Sequence, residues 1–192
     1  MTSPAIRWPR PAGPLELRTP TPESLDHVLR WRNRPDVTTW LLRTTVDPDR
    51  FREQWLEAVE DHHSVVAFLD DEVVGTASLW ITDGLGQMHV PDGPWRKAEA
   101  GIGYMIDPAH AGRGYATEIA SALLSLAFEE LGVHRVTAGC FADNVASWRV
   151  MEKLGMRREQ HGIRDSWHAE RGWIDGFAYA MLAEEWRARQ AR

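Results

Sequence analysis

Cysteine is nearly missing: Cys140 stands alone in 192 residues. That excludes an intrachain disulfide and a cysteine-rich zinc centre. Long apolar runs are missing as well. No stretch free of Asp, Glu, Lys and Arg exceeds ten residues, the two longest being 73–82 and 119–128, and a membrane-crossing helix needs about twenty. There is no excess of positive charge. Lys and Arg total 22 against 28 Asp and Glu, a net charge of −6, so no global attraction draws the chain to nucleic acid. Residues 1–14 are proline-rich and carry no apolar core of a secretory signal. These absences point to a cytoplasmic protein with neither membrane nor nucleic-acid partner. The length fits one domain, since domains run to about 100–200 residues.

Read in order, residues 1–14 form a poorly ordered arm, 15–183 a single domain and 184–192 a charged, solvated tail. Residues 15–19 alternate apolar and polar and read as a strand. Thr21-Pro22-Glu23 opens a helix, with Thr as N-cap and Pro in the first turn, running to about Asn33. Asp47-Pro48 opens a second, with Phe51, Trp55, Leu56 and Val59 on one face. His62-His63 would close that helix on the surface. Residues 64–69 and 72–81 are two strands joined at Asp70-Asp71. Residues 82–97 form a long connection rich in glycine and proline, a length that often signals function or mobility. A strand over 98–106 follows. The strongest helix is 113–131, with Ala116, Ile119, Ala120, Leu123, Leu124, Ala127 and Leu131 inward. Then come a strand over 135–141, a helix over 144–154 capped by Asn144 and stopped at Gly155, and a closing antiparallel pair over 156–164 and 172–182. This β-αα-ββ-β-α-β-α-ββ order predicts an α/β (α+β) domain with a mixed sheet.

The chemistry gathers in Asp107-Pro108-Ala109-His110-Ala111-Gly112-Arg113-Gly114-Tyr115-Ala116-Thr117-Glu118, between a strand and a helix. Two glycines one residue apart let the backbone turn with no Cβ in the way. The helix's first N–H groups, unpaired and at the positive end of its dipole, then face outward as an anion site suited to a pyrophosphate. A Walker loop lacks its Gly-Lys-Ser/Thr here, and a Rossmann fingerprint lacks its third glycine, since Thr117 stands in its place. A tight strand-to-helix turn that needs glycine for geometry alone is the competing explanation.

A second motif, Asn144-Val145-Ala146-Ser147, leads into Glu152-Lys153-Leu154-Gly155-Met156. Together with Ala111-x-x-Gly114-x-Ala116 it resembles the GNAT superfamily of acyl-CoA-dependent N-acyltransferases. Gly114-Tyr115-Ala116-Thr117-Glu118, Ser147 and Arg32-Asn33 resemble the RimJ/RimL-like branch, which acetylates protein N-termini and has relatives acting on small amines. The likeness covers about residues 15–183. Two positions depart from the family pattern. Ala111 replaces a Gln or Arg that often assists the phosphates, and Met151 replaces a tyrosine that usually protonates the leaving thiolate.

The resemblance implies the GNAT fold: a mixed central sheet whose two central parallel strands, here 98–106 and 135–141, splay apart, flanked by helices. It implies acetyl-CoA as acyl donor, a primary amine as acceptor, direct attack in a ternary complex, and no metal. Gly112, Arg113, Gly114, Tyr115, Ala116 and Thr117 then bind the pyrophosphate, backbone groups of Met105 and Ile106 hold pantetheine, and Asn144 and Arg149 contact other parts of the cofactor. Ser147 or a water donates a proton to the thiolate, with Asn144 beside it. Glu99 is the first candidate base, acting through water, ahead of Asp165, His161, Glu159 and His168. A homodimer is among the arrangements the resemblance allows, and 82–97 could serve as an interface or lid.

An α-amine, with a pKa near 8, costs under about 1 kcal/mol to deprotonate near pH 7.4, and a lysine amine roughly 4 kcal/mol. An N-terminal acceptor therefore needs only a modest base. The acceptor stays open between a protein N-terminal α-amine and a small amine such as an aminoglycoside or polyamine. A non-catalytic acyl-CoA-binding regulatory module is the alternative of a different class, and a nucleotide-binding protein a third. Cys140 reads as a buried, inert thiol. His168-x-Glu170 lacks the Cys-x-x-Cys partner of a zinc deaminase. Trp31, Trp40, Trp55, Trp80 and Trp95 lie in segments that would flank an acceptor groove.

Overall fold

The computed structural model describes residues 6–57, 61–87 and 92–191. It divides into two compact units: Met1–Trp80 with Gly103–Leu123, and Ile81–Ile102 with Leu124–Arg192.

The first unit opens on a hairpin. Strand β1 (Arg10–Ala12) pairs antiparallel with β2 (Leu15–Arg18), and Gly13 makes the turn at φ +59°. Helix α1 (Pro22–Arg32) starts at a reciprocal cap: the Ser24 N–H donates to Thr21 Oγ1 at 3.2 Å and the Thr21 N–H to Ser24 Oγ at 2.9 Å. Such caps satisfy donors that the first helical turn leaves without partners. A four-residue helix, α2 (Pro35–Thr38), follows. Next is α3 (Pro48–Leu56), capped where the Arg50 N–H donates to Asp47 Oδ1 at 3.0 Å. Strands β3 (His62–Leu69) and β4 (Glu72–Thr82) form an antiparallel pair, and β3 also pairs with β2. The core joins Leu25, Val28 and Trp31 of α1 to Phe51, Val66 and Val73, and Met105 packs against it.

Met105 belongs to β5 (Glu99–Ile106). The end of β5 is tied to β4 where the Asp107 N–H donates to the Val74 carbonyl at 2.9 Å. Beside it, Gly75 cannot be replaced without movement, because a Cβ there would lie 2.5 Å from the Met105 carbonyl oxygen. Helix α4 (Tyr115–Ser125) begins in this unit.

In the second unit the start of β5 runs parallel to β6 (Arg135–Phe141). Their ladder holds three pairs, Glu99↔Arg135, Ala100↔Val136 and Gly101↔Thr137. On its other side β6 is antiparallel to β8 (Gly172–Leu182) along its whole length. Strand β7 (Arg157–His168) pairs with β8 through two register breaks, at 158/160 and 162/166. Helix α4 ends in a π turn, Leu126–Glu130. Helices α5 (Val145–Lys153) and α6 (Ala183–Gln190) complete the unit. The strand order is β1-β2-β3-β4-β5-β6-β8-β7, an open mixed sheet with helices as expected. Among the described residues no helix is long and apolar enough to cross a membrane.

Several local expectations need correction. Residues 10–12, which the sequence places in the arm, form β1, because the Gly13 turn folds them back to pair with Leu15, Glu16 and Leu17. The tail is not merely solvated: residues 183–190 are α6, and Trp186 is 5% exposed with its indole N–H donating to Glu129 Oε1 at 2.9 Å. A charged composition concealed one deeply set aromatic. His62 and His63 open β3 rather than close a helix, and burial lowers the pKa of His63. The short helix α2 had no counterpart in the sequence reading. Val59 and residues 88–91 of the long connection lie outside the described residues. The base of that connection is pinned by the Gly84 N–H donating to the Trp95 carbonyl at 2.7 Å and by the Arg96–Asp83 ion pair at 2.6 Å.

Removing a buried aromatic leaves a cavity and costs about 3–5 kcal/mol. Trp186→Ala is therefore expected to lower the free energy of unfolding by about that amount in urea titration. A solvated tail would show almost no change.

Candidate functional site

In the first unit the turn between β5 and α4 is built from backbone. Residues 108–110 make a 3-10 turn capped by Asp107, whose carboxylate accepts the Ala109 N–H at 3.0 Å. Gly112 and Gly114 then take φ of +76° and +86°, a region that costs L-residues with a Cβ. Beyond the adjoining residues, no atom lies within 4 Å of the Cβ position at either glycine. The space is open, so crowding does not demand glycine here; a left-handed backbone and an unobstructed approach do. Inside the turn, the Thr117 and Glu118 N–H groups donate to the Gly114 carbonyl at 2.9 and 3.2 Å. The donors before them begin the helix, where no intrahelical acceptor exists. Ala111, Gly112, Arg113 and Gly114 are exposed, and Tyr115, Ala116 and Thr117 half-buried. Arg113 folds back toward the Ala109 carbonyl, at 3.5 Å.

His110 sits buried at the root of this loop. Its Nε2 meets Glu72 Oε1 at 3.2 Å, its ring tilts against Tyr115 with centroids 6.5 Å apart, and its Nδ1 is buried with no partner. A bare cradle of backbone donors at a helix N-terminus suits a pyrophosphate-bearing ligand. The Met105 carbonyl, near Gly75, and Ile106 end the strand that feeds the loop.

The second unit holds the other predicted residues. Asn144 is the N-cap of α5: the Ser147 N–H donates to its Oδ1 at 3.2 Å. Ser147 is half-buried and its side chain hydrogen-bonds Cys140. Burial raises the Cys140 pKa, and Ser147 partly opposes that rise, so the thiol is protonated at neutral pH and a poor nucleophile. Arg149 is exposed, with its guanidinium 5.7 Å from the Trp148 ring centroid. Met151 is buried at 2% exposure. Tyr179 donates to Glu152 Oε1 at 2.9 Å, and its pKa is pushed up to about 12, mainly by burial and next by Glu152. That phenol keeps its proton.

Glu99, half-buried, lies 3.8 Å from Arg135 in an ion pair. Arg135 also grips both oxygens of Glu159, at 2.9 and 2.6 Å. Glu159 is the residue skipped by the first register break of β7, and a bulge of this kind re-aims a side chain. Arg157 bonds Glu159 at 2.6 Å and also Glu185. The hydrogen bond from Arg135, ahead of that from Arg157, lowers the Glu159 pKa. The other acid–base candidates are engaged in this unit too. His161 meets Asp175 at 2.7 Å, Asp165 accepts from Ser166 at 2.8 Å, and His168 Nδ1 accepts the Glu170 N–H at 3.2 Å.

Sequence reading missed the Cys140–Ser147 and Glu152–Tyr179 contacts. Each joins a strand to α5, and no fixed spacing announces it. Of the five tryptophans in the segments that would flank an acceptor groove, most of which the sequence reads as core or interface, Trp31 is core and Trp55 packs against it, whereas Trp80 is 38% exposed. Trp95 lies across Gly86, where an added Cβ would collide with its ring.

The family described as "Acetyltransferase (GNAT) domain" matches residues 14–157. The chain is 41% identical over 85 residues to a Bacillus subtilis (strain 168) protein named uncharacterized N-acetyltransferase YnaD. That match covers 44% of this chain and 49% of YnaD, so the chain spans about half the length of this curated relative. Among solved structures, an acetyltransferase (GNAT family) from Bacillus anthracis is similar with a TM-score of 0.74 and 27% identity, over 91% of this chain and 98% of that one. RimJ of Mycobacterium smegmatis, in complex with CoA-disulfide, superposes with a TM-score of 0.71 at 22% identity, over 89% of this chain and 83% of that one, a likeness of fold.

Gly114→Trp should fill the cradle and abolish binding of a pyrophosphate-bearing ligand such as CoA in calorimetry. Gly132→Ala is the control, since Gly132 has φ +67° and equally open space at the far end of the helix. It should carry the same backbone strain and leave binding intact. Equal CoA affinity in all three proteins would remove the loop from the site.

Proposed function

The chain belongs to the acetyltransferase (GNAT) family, and on that premise we propose that it is an acetyl-CoA-dependent N-acetyltransferase of the RimJ/RimL-like kind. The observation that carries the reading is the open cradle at Gly112 and Gly114, where two left-handed glycines present the first N–H groups of α4 to an anion. In this assignment Gly112, Arg113, Gly114, Tyr115, Ala116 and Thr117 receive the pyrophosphate. Backbone groups of Met105 and Ile106 hold the pantetheine arm, and Asn144 and Arg149 contact the rest of the cofactor. With no Gln or Arg at Ala111, backbone donors carry more of the phosphate charge.

The acceptor is a primary amine, either a protein N-terminal α-amine or a small amine. Its nitrogen bonds to the acetyl carbon as the carbon–sulfur bond breaks. Glu99 takes the amine proton through water. Ser147 gives a proton to the departing thiolate, the task that buried Met151 has no proton to perform. Cys140, held as a thiol beside Ser147, is a neighbour of that donor rather than an acyl carrier. Positioning the two reactants side by side can supply roughly 7–11 kcal/mol of the barrier, so modest proton transfer suffices.

The direct test is calorimetric titration with acetyl-CoA, followed by thiol release against N-terminal peptides, polyamines and aminoglycosides. Release on one amine class names the acceptor; binding without release on any amine favours the regulatory alternative. Ser147→Ala should lower turnover about 100-fold with CoA affinity unchanged. Equal rates would take Ser147 out of the mechanism. Glu99→Gln should flatten the rising limb of the pH–rate profile. An unaltered profile would leave Glu99 as the partner of Arg135 alone.

A further inference from the structure

Arg32, the last residue of α1, is an internal arginine without an acid. It is 6% exposed. Its Nη2 donates to the Arg43 carbonyl at 2.7 Å, and its Nη1 is buried with no hydrogen-bond partner. No ion pair to it exists among the described residues. The one charged group acting on it is a second guanidinium, that of Arg43, and burial and this like charge both lower its pKa. A buried cation is normally paired, and leaving it unpaired is costly.

The surrounding segment is firmly built, so the missing partner is not a matter of slack chain. Asn33 brackets Val46, donating from Nδ2 to its carbonyl and accepting its N–H at Oδ1, both at 3.0 Å. Arg43 is exposed and donates from Nη1 to Gln54 Oε1 of α3 at 2.9 Å. The pair thus has one buried and one solvent-facing guanidinium on a loop fixed at both ends. A guanidinium is a planar fork of donors matched to carboxylate and phosphate oxygens.

We propose that Arg32 and Arg43 form an oxyanion site that receives the carboxylate or phosphate group of the amine acceptor. The acceptor's part rests on the acetyltransferase reading; oxyanion binding itself does not. The acceptor class becomes an amine that also carries an acid.

Thermal unfolding of the full chain is followed with increasing inorganic phosphate or acetate, against chloride at matched ionic strength. General salt effects on burial act on every variant alike, so the difference between proteins reads the site. The wild type should show a saturable rise in Tm. Arg32→Met should lose it and, freed of an unpaired buried charge, should be no less stable than wild type in chloride. Arg43→Gln, on the exposed loop, is the second variant and should weaken the response. No saturable rise in the wild type, or an equal rise in all variants, overturns the proposal.

Amines are then compared in acid-bearing and neutral pairs, alanine against ethylamine and acidic against amidated peptides. An advantage of about tenfold in kcat/KM for the acid-bearing members, the worth of one charge-assisted hydrogen bond, should vanish in Arg32→Met. Arg32-dependent phosphate binding without that preference overturns the acceptor's part and leaves a free-anion site. Arg32-dependent binding with no turnover on any amine overturns the acetyltransferase reading and sustains the oxyanion site.

Discussion

Between Ile106 and Tyr115 the chain must leave a strand, reverse, and enter a helix with that helix's first N–H groups turned outward. A Cβ at positions 112 and 114 would resist the left-handed backbone that this requires. The rest of the first unit holds the turn in place. Asp107 is bonded to Val74, Asp107 caps the 3-10 turn, and His110 is wedged between Glu72 and Tyr115. The cradle is therefore preorganised by neighbours that need not touch a ligand. A ligand at such a cradle would not have to order a loop, a cost that otherwise subtracts from affinity.

The second unit is arranged by charge and capping. Arg135 is shared between Glu99 and Glu159, Glu159 between Arg135 and Arg157, and Arg157 between Glu159 and Glu185. A single residue skipped in β7 turns Glu159 into the middle of that chain. Its most exposed members contribute little individually, because water screens them; their effect is to fix where Glu99 stands. Asn144 does the same for Ser147 by capping the helix on which it rides.

Much of this was legible in the sequence, for identifiable reasons. The helices at 22–32 and 48–56 were announced by Thr21-Pro22 and Asp47-Pro48, local caps that act within one turn. The bounds of β6 and β8 followed from segments rich in aliphatic and aromatic residues that give way to Asp143 and Glu184. The glycine loop was legible because backbone geometry restricts residue type directly. What stayed hidden was long-range. Trp186 bonding Glu129 and Tyr179 bonding Glu152 each join residues far apart in the chain, and composition says nothing of such partners. Arg32 was legible as half of a family-like dipeptide, but its burial without an acid is a property of packing. Residues 10–12 form a strand through pairing with β2, a partnership that three residues containing a proline do not announce.

The two ends of the strand order share a property. At one end β1 is three residues long and contains Pro11, which has no N–H to offer. At the other, β7 is long and exposed but broken twice in register, with Arg164 at φ +49° inside the second break. A strand from another molecule could add neatly to neither, since open edges template aggregation only where they are long, flat and regular. The irregularity that seats Glu159 therefore also guards the sheet against growing into a fibre. Straightening β7 to make a tidier hairpin would trade that protection away.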